Sequence, residues 1–498
     1  MSSRLCFCAV LAALTFLAGE VVAQLPAYDH VVVVIEENHS FSQILGNPAA
    51  PNINALAAAS ASIVKAATDP AANISGSHAV RHPSQPNYLE FYAGDNQQVL
   101  TDARPGTGND FSAIPPFDTP NLGAQLRNAG LSFATYSQTL PSVGFDGDSN
   151  GAYQRKHNPV TNWMNDINPT KNQLPSTANQ PFTSFQQIAN SPGGFANLPT
   201  VSFVVPDQNF DMHDGTVQAG DDWLKQNIID TYLPWALSHN SLLIVTWDED
   251  GTNTPTNQIP TIFAGANIRR GNYTETNLNL NNPYLLVATD PGIETPTGTA
   301  MNHWNVLATI EDIYGLDHIG NAMSRPGLSD IFVKAMSRKR HGNGGVFDIA
   351  LPLTGPPGIE CRSGGPTNNQ QIVVTFGVPV TVSGAQITHG AATISNVSTN
   401  GRSITVDLTN VANAQTIELK LVSVNDGSTN SDLTIPITVL RGDTNADGIV
   451  DSADVRHVES EFGHAISASN FREDLNTDGF IDNSDVVLVK SNSPGTSP

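Results

Sequence analysis

The sequence predicts an α/β domain, then a small β-sandwich, then an acidic repeated tail. In the first part of the chain, strand-like runs that are apolar at nearly every position alternate with helical stretches. A shorter region of alternating strands separated by Gly, Asn and Ser turns follows. The last part repeats one acidic segment at an offset of 31 residues. About three domains also fit a chain of 498 residues, at about 150 residues per domain.

Residues 1–23 are predicted to form a secretory signal peptide. Arg4 precedes an apolar run from Leu5 to Leu17, and the segment ends in the small-residue stretch VVA. This run is short for a membrane span, and no other stretch reaches the roughly 20 apolar residues that a span needs. We therefore expect a secreted protein, extracellular or at the cell surface, without a transmembrane span. Cys361 is the only cysteine outside the signal, which excludes an internal disulfide.

The formal net charge of −23 restricts the partners of the protein. Like charges repel, so this charge disfavours binding to DNA, RNA and anionic lipid. We expect no nucleic-acid partner. Acidity is also common among exported and calcium-binding proteins, so charge alone does not identify the function.

Five strand candidates define the α/β domain, which is predicted to span residues 24–335. They are HVVVVIEE, LSFATYSQ, LPTVSFVVPD, SLLIVTWDED and IPTIFAGA. Such continuously apolar runs fit a mainly parallel sheet that is sandwiched by helices. In open α/β sheets ligands bind outside the carboxyl ends of the strands, so polar residues directly after a strand are candidate site residues.

Polar residues follow three of these strands at that edge of the sheet. They are Glu36, Glu37 and Asn38 after the first, Asp207, Asp211, His213 and Asp214 after the third, and Asp248, Glu249 and Asp250 after the fourth. Carboxylates that converge without matching cations repel one another unless a metal neutralises them. For any single cluster, capping of a helix or exposure to solvent remains the alternative. A set of oxygen ligands without cysteine disfavours soft metal ions, but it does not identify the metal.

Ser84 is predicted to lie rigidly at the start of a helix. It stands between two prolines in HPSQPNYLEFYAGD, followed by an apolar run that Gly94 would end. Proline is favoured in the first turn of a helix, and serine is a preferred N-cap residue. The segment therefore holds one hydroxyl group at a helix N-terminus.

Six motifs occur in a fixed order between residues 28 and 333. They are EENHSFSQILG, HPSQPNY, RKHNP, VVPDQNFDMHDG, TWDEDG and NHWNVLATIEDIYGL. In this order they resemble the phosphoesterase family of acid phosphatase A and non-specific phospholipase C, which belongs to the alkaline phosphatase superfamily. The resemblance implies an alkaline-phosphatase-like fold and a metal-assisted phosphoester hydrolase that forms a covalent phosphoserine.

The resemblance also implies roles for individual residues. Ser84 would be the nucleophile, and one catalytic divalent metal ion would be bound by Glu37, Asn38, Ser84, Asp248 and Glu249. The phosphate oxygens and the leaving group would be held by Asn87, His157, His213 and Asp214. Physical chemistry agrees, because a cation stabilises a serine alkoxide and helix-start N–H groups bind phosphate. His82 is expected to be a loop residue, and His303 to pin the last helix of the domain.

Some residues of the motifs differ from the family pattern, and these differences bear on the predicted class of substrate. His39 and Ser42 stand where the first motif of the family usually has Arg and Asp, and Asp250 replaces the His of the phospholipase branch. PSQPNYL is closer to the phosphatase branch, which favours a phosphorylated small-molecule substrate. The alternatives are a phospholipase C acting on phospholipid head groups and a non-catalytic surface protein that binds phosphate or carbohydrate. The complete set of implied metal ligands argues against the non-catalytic alternative.

The next two regions carry no catalytic motif. Residues 336–370 begin with the basic stretch SRKRHG and continue as loop-like sequence, so they are predicted to be a linker. Residues 371–440 contain QIVVTF, SITVDL, TIELKLVSV and LTIPITVL, which predict a small β-sandwich of immunoglobulin type. We expect this sandwich to be a spacer.

The tail, residues 441–493, carries GDTNADGIVDSAD and EDLNTDGFIDNSD in register. Calcium favours oxygen ligands at alternating positions of a loop that turns sharply at glycine. The two copies offer Asp443, Asn445, Asp447, Ile449, Asp451 and Asp454, and Asp474, Asn476, Asp478, Phe480, Asp482 and Asp485, with the Ile and Phe contributing carbonyl groups. A solvated acidic tail is the alternative. The repeat resembles a type I dockerin, which implies two bound Ca²⁺ ions and a cohesin-type partner.

Overall fold

The computed structural model describes residue 25 and residues 27–65, 75–107, 114–251, 256–274, 301–353, 356–365, 368–377, 379–426 and 430–493. The predicted signal peptide lies outside these residues. Among the described residues, no helix combines the length and apolar character that crossing a membrane requires.

The first part of the chain contains the strands and helices of the predicted α/β domain. Its strands are β1 (His30–Glu36), β2 (Ala61–Ile63), β3 (Ser77–His78), β4 (Phe133–Ser137), β5 (Ser149–Asn150), β6 (Tyr153–Gln154), β7 (Asn179–Pro181), β8 (Val201–Val205), β9 (Ser241–Trp247), β10 (Gln258–Ile259), β11 (Thr261–Gly265), β12 (Gly271–Tyr273) and β13 (Met301–Asn302). Its helices are α1 (Phe41–Ile44), α2 (Pro51–Ala59), α3 (Ser84–Ala93), α4 (Leu122–Asn128), α5 (Phe182–Ala189), α6 (Val217–Leu224), α7 (Tyr232–Ser238) and α8 (His303–Tyr314).

The main sheet has eight strands in the order β12-β2-β11-β9-β1-β8-β4-β7. The central strand β1 is parallel to both β8 and β9, and β4 is parallel to β7 and β8. Alternate residues of β1 enter two separate cores, with Val33 facing α3, α4 and α8 and Val34 facing α2, α5, α6 and α7. Both faces of the sheet are therefore covered by helices, which confirms the predicted fold class.

Strand β11 departs from the parallel direction that its apolar sequence favours. It pairs antiparallel with both β9 and β2. A parallel crossover usually passes through a helix, and the described residues between β9 and β11 contain no helix. Burial on both faces gives β11 the same apolar pattern as its parallel neighbours.

The second part of the chain forms the predicted β-sandwich and tail. Its strands are β14 (Lys334–His341), β15 (Gly345–Ala350), β16 (Gly358–Glu360), β17 (Gln370–Thr375), β18 (Gly384–His389), β19 (Thr393–Asn400), β20 (Ser403–Thr409), β21 (Gln415–Asn425) and β22 (Asn430–Val439). The two sheets have the orders β15-β14-β17-β20-β19 and β16-β22-β21-β18, and they enclose one apolar core. Helices α9 (Ser452–Ser460) and α10 (Asn483–Asn492) belong to the tail.

The structure corrects the predicted linker at residues 336–370. β14 pairs antiparallel with β15 and β17, and β16 pairs parallel with β22, so most of this segment is part of the sandwich. The run of three consecutive basic residues at 338–340 concealed the strand, because it interrupts the alternation that begins at Lys334. In β14, Ala335 and Ser337 are buried while Arg340 is exposed.

The tail packs directly against the sandwich. Ile349 and Cys361 share a buried core with Val450, Leu475 and other apolar residues of the tail. Backbone bonds cross the same boundary, for example from Ser363 N–H to the carbonyl of Leu475 at 2.7 Å. The apolar residues of the tail are few for an independent core of about 50 residues, and this shared core compensates for that shortage.

Candidate active site

Parallel pairing brings two acidic strand ends together. Glu36 of β1 lies opposite Trp247 of β9, so the residues that follow them emerge side by side. The backbone N–H of Asn38 donates to Oδ1 of Asp248 at 3.1 Å. Gly251 is required here, because a Cβ at this position would lie 1.9 Å from the carbonyl oxygen of Asn38.

Ser84 is the first residue of α3, as the sequence predicts. Gly94 ends this helix in the left-handed conformation, with φ of 66°. The Ser84 side chain is buried, and its Oγ lies 3.0 Å from Oε2 of Glu37 and 3.2 Å from Oε1 of Glu249. The structure therefore places the predicted nucleophile between predicted metal ligands from two strand ends.

His82 fixes the orientation of Glu249. Its Nδ1 lies 2.5 Å from Oε2 of Glu249, and its Nε2 lies 3.6 Å from Oδ1 of Asp250. One oxygen of Glu249 therefore faces His82 while the other faces Ser84. The sequence predicts His82 only as a loop residue, since its contact partners are more than 160 residues away along the chain.

A second group of possible metal ligands shares Glu37. Nε2 of His157 lies 3.2 Å from Oε1 of Glu37, and its Nδ1 lies 3.6 Å from Oδ2 of Asp211. One potential ligand atom from each of these three buried residues lies within 4.8 Å of the others. Tyr88 stacks on the His157 ring at a centroid distance of 5.3 Å. The family resemblance does not assign Asp211, although it follows the third strand in the same polar cluster.

The buried carboxylates of this site fit a cation. Oε1 of Glu37, Oδ2 of Asp211 and Oδ2 of Asp248 are buried and accept no hydrogen bond from the described residues. Burial raises the pKa of Glu37 and of Asp248 well above their ordinary values, and raises the pKa of Asp211 to about 7. Buried carboxyl groups without donors either keep their protons or bind positive charge. The residues present therefore match a divalent metal ion.

His213 and Asp214 lie at the rim of the site. Nδ1 of His213 is 2.8 Å from Oδ1 of Asp214, and both side chains reach solvent. The His213 ring is 5.9 Å from the ring of His157. Burial lowers the pKa of His157 well below its ordinary value, so its ring is neutral. Partial exposure places His213 between the buried carboxylates and solvent.

Asn87 is bound within the segment that leads to Ser84. Its Oδ1 accepts hydrogen bonds from the backbone N–H groups of Val80 and Arg81, and its Nδ2 donates to the carbonyl of Arg81 at 2.6 Å. Both ends of the amide are thus engaged by this segment, which Asn87 fixes. Its contact with a phosphate stays a prediction.

Lys156 is a cation of the site that the sequence analysis does not assign. Its Nζ donates to Oδ2 of Asp102 at 2.8 Å, and Oδ1 of Asp102 accepts the backbone N–H of Gln85 at 3.0 Å. Burial opposes the charge of Lys156, but the bond to Asp102 outweighs it and raises the pKa of the lysine. The motif RKHNP contains Lys156, but only the folded structure shows that Asp102 links this lysine to the first turn of α3.

The two tail loops share one hydrogen-bond pattern. Asp443 accepts from the N–H of Gly448, and Asp474 accepts from the N–H of Gly479, each at 2.9 Å. Asp454 and Asp485 accept from backbone N–H groups near the start of their own loops. Each loop therefore closes on itself and brings its first and last predicted calcium ligands together.

A buried serine at a helix start, surrounded by carboxylates at the carboxyl edge of an α/β sheet, is an arrangement that fits a hydrolytic enzyme. Residues 53–317 match the Phosphoesterase family. The chain belongs to this family and is a hydrolase of phosphoric ester bonds. Residues 441–492 match the Dockerin type I domain. Both matches confirm the resemblances found in the sequence.

The chain is similar to proteins that are named as phosphatases. The chain is 39% identical over 314 residues to a phosphatidylinositol-3-phosphatase of Mycobacterium tuberculosis, a match that covers 63% of this chain and 86% of the relative. It is 27% identical over 252 residues to an acid phosphatase of Aspergillus fumigatus, covering 49% of this chain and 48% of the fungal protein. The solved alkaline phosphatase of the Antarctic bacterium TAB5 matches with 12% identity and a TM-score of 0.30, covering 59% of this chain and 99% of the other.

Proposed function

We propose that this protein is a secreted, metal-dependent phosphoric monoester hydrolase that acts through a phosphoserine at Ser84. The position of Ser84 Oγ carries the proposal. It is buried at the start of α3, within 3.2 Å of two carboxylates. A phosphate that reaches this hydroxyl is also favoured by the positive end of the dipole of α3.

The catalytic metal ion would be held by five residues of this chain, namely Glu37, Asn38, Ser84, Asp248 and Glu249. The unpaired oxygens of Glu37 and Asp248 support this assignment. His157 and Asp211 adjoin the same glutamate and complete the ligand environment. When bound, a divalent ion supplies positive charge that stabilises the serine alkoxide and keeps the surrounding carboxyl groups ionised.

Catalysis proceeds in two displacements at phosphorus. Ser84 Oγ loses its proton to the neighbouring carboxylate and forms a bond to phosphorus, while the bond from phosphorus to the alcohol oxygen breaks. His213, oriented by Asp214 at the rim, protonates the departing oxygen. Water then loses a proton to His213 and attacks phosphorus, while the bond from phosphorus to Oγ breaks and Oγ takes back its proton from the carboxyl group, which releases phosphate and restores the serine hydroxyl.

The substrate is a phosphate monoester in this proposal. Relatives named as phosphatases favour this over cleavage by a phospholipase C, in line with the sequence of the Ser84 motif. The tail would bind two Ca²⁺ ions and attach the enzyme to a cohesin-type domain, as the Dockerin type I match implies. Dockerins and the predicted signal peptide both support secretion.

Hydrolysis of p-nitrophenyl phosphate, compared with phosphatidylcholine, tests the substrate class. We expect release of p-nitrophenol without release of phosphocholine from the lipid. Acid quenching during turnover, followed by mass spectrometry, should show one phosphate on the peptide that contains Ser84. Preferential cleavage of phosphatidylcholine would support the phospholipase alternative, and lack of hydrolysis with both substrates would contradict the catalytic proposal.

A further inference from the structure

The turn between β14 and β15 of the sandwich lies directly on the second loop of the tail, residues 474–485. The backbone N–H of Gly342 in this turn donates to the carbonyl of Thr477 at 3.0 Å. A Cβ at Gly342 would lie 2.1 Å from the carbonyl oxygen of Asp478, so glycine allows the close approach. The sandwich therefore contacts the backbone of this predicted calcium loop.

His341, the last residue of β14, donates a hydrogen bond to the first predicted calcium ligand of the same loop. Both side chains are fully buried, and Nδ1 of His341 lies 2.9 Å from Oδ2 of Asp474. Nε2 of His341 lies 3.1 Å from a guanidinium nitrogen of Arg362. Because a guanidinium group has no acceptor, Nε2 accepts this bond and the ring proton is on Nδ1. The histidine is therefore the donor in its bond to Asp474.

Arg362 holds the histidine in this orientation. Its guanidinium group donates to the two carboxylate oxygens of Glu360, at 2.9 and 2.8 Å. It also donates to the backbone carbonyls of Ser337 and Phe347, at 2.8 and 2.9 Å. The side chains of Arg362 and Glu360 are fully buried, and a bidentate ion pair of this kind restricts a side chain to one geometry. The sandwich therefore presents the Nδ1–H of His341 to the loop in a fixed position.

The first loop of the tail, residues 443–454, lacks this support. Asp443 and Asp474 accept the equivalent two backbone N–H groups of their own loops. Among the described residues no side chain donates to the carboxylate of Asp443, whereas Asp474 also accepts from His341. Three positions are exposed in the first loop and half-buried in the second, namely Asn445, Ala446 and Gly448 against Asn476, Thr477 and Gly479. One chain thus contains a supported and an unsupported copy of the same loop.

The donor set of the second loop fits a calcium ion. Its first and last predicted ligands, Asp474 and Asp485, are buried, and neither pairs with Lys or Arg in the described part of the chain. Oδ2 of Asp474 accepts hydrogen bonds from both Gly479 and His341, which fills its lone pairs. Oδ1 accepts from Asp478 and keeps a lone pair for the ion.

We propose that His341 positions Asp474 for calcium, so that the second loop binds calcium more tightly than the first. The inference rests on the proposed calcium binding by the tail, and it gives the sandwich a role in that binding. A ligand that is already oriented loses less conformational freedom when the ion binds, and groups that orient metal ligands typically change the affinity by about 10- to 100-fold. Loss of His341 should therefore weaken one calcium site and spare the other.

Isothermal titration of the full chain with calcium tests the inference in variants that keep one loop each. Asp443→Ala keeps the second loop, Asp474→Ala keeps the first, and the double variant is the blank for calcium bound elsewhere, including at the catalytic site. We expect Asp443→Ala to bind calcium about ten-fold more tightly than Asp474→Ala. His341→Leu should weaken binding about ten-fold in the Asp443→Ala chain and change it by less than about two-fold in the Asp474→Ala chain.

His341→Asn keeps an N–H donor near the position of Nδ1 and should retain most of the affinity of the second loop. The exposed His389→Leu in β18 is the control and should change neither loop. Equal affinities of the two loops, or equal losses in His341→Asn and His341→Leu, would overturn the inference. If circular dichroism shows that His341→Leu is misfolded, the comparison of Asp443→Ala with Asp474→Ala decides alone. A wild-type chain that binds no more calcium than the blank would instead contradict the proposed calcium binding by the tail.

Discussion

Lys156 donates a hydrogen bond to Asp102 at 2.8 Å, and the second oxygen of this carboxylate accepts the N–H of Gln85, the residue after Ser84. One acidic side chain thus joins a cation to the first turn of the helix that carries the proposed nucleophile. A phosphate bound at Ser84 would meet both the helix N-terminus and the ammonium group of Lys156. The charge of Lys156 would then favour the phosphoryl group in the ground state and in the transition state.

Replacing Lys156 by Met should raise KM for p-nitrophenyl phosphate about ten-fold, with a smaller fall in kcat, because a phosphate contact is lost. Lys156→Arg should retain most of the affinity, since it keeps the positive charge and can still pair with Asp102. Steady-state kinetics of the three proteins provide the measurement. Unchanged KM in Lys156→Met would show that the lysine does not contact the substrate.

Ser84→Ala should lower kcat by about a thousand-fold or more, because it removes the atom that attacks phosphorus. The fold should be preserved, since alanine is compatible with the first turn of α3. Circular dichroism and metal analysis should therefore match the wild type. The exposed Ser238→Ala in α7 is the matched control and should keep full activity. Activity of Ser84→Ala within a few-fold of wild type would refute the phosphoserine mechanism.

Asp248→Asn and Glu37→Gln should each reduce metal occupancy together with rate, because each removes one negative charge from the buried cluster. Elemental analysis of the purified variants, combined with phosphatase assays after exhaustive chelation, measures both effects. Asp222→Asn, an exposed acid of α6, is the matched control and should change neither quantity. Full activity after complete removal of metal would show that the metal assignment is wrong.

The strand ends and the helix start were predictable from the sequence because they depend on local patterns. Continuous apolar runs and the prolines around Ser84 determine those elements, and the order of motifs identifies the family. The contacts of Asn87 depend on the path of the irregular segment just before α3, and the involvement of Asp211 depends on how distant loops meet. A single sequence shows neither. The strands of the predicted linker were missed because three consecutive basic residues, 338–340, interrupt the alternation of β14.

Glu311 in α8 should make the stability of the catalytic domain depend on pH. It is buried, its Oε1 accepts the N–H of Ile319, and burial raises its pKa to about 8. Because the folded-state pKa lies above the ordinary value near 4.3, the protonated group contributes stability that is complete below about pH 4 and is lost as the pH rises through about 8.

Glu311→Gln removes this titration while retaining an acceptor for Ile319. We expect the variant to be more stable than the wild type at about pH 9, by on the order of 2 kcal/mol, and to gain little at about pH 5. Thermal unfolding of both proteins across this range gives the measurement. A difference in Tm that stays constant with pH would contradict the assignment.

Catalysis in the α/β domain should not depend on calcium binding by the two loops of the tail. Residues 442–493 contain 11 acids against Arg456, Arg472 and Lys490, so the tail repels itself when no calcium is bound. Its shared core with Ile349 and Cys361 anchors it to the sandwich, but the loops still need cations to neutralise their clustered carboxylates. His341 of β14 reaches Asp474 at 2.9 Å, so the sandwich also contacts the second loop.

Replacing Asp443 and Asp474 together by Ala should abolish calcium binding at both loops, because each is the first ligand position of its loop. Calcium-dependent helicity of α9 and α10 and docking to a cohesin domain should disappear with it. Hydrolysis of p-nitrophenyl phosphate should stay within about two-fold of wild type, since the catalytic cores are built from residues before Val333 and separate from the tail core. Equilibrium dialysis with calcium, circular dichroism and kinetics of the full chain measure these effects, with the exposed Glu459→Ala as control. Retained calcium binding in the double variant would refute the assigned ligands, and loss of hydrolysis would show that the tail supports the catalytic domain.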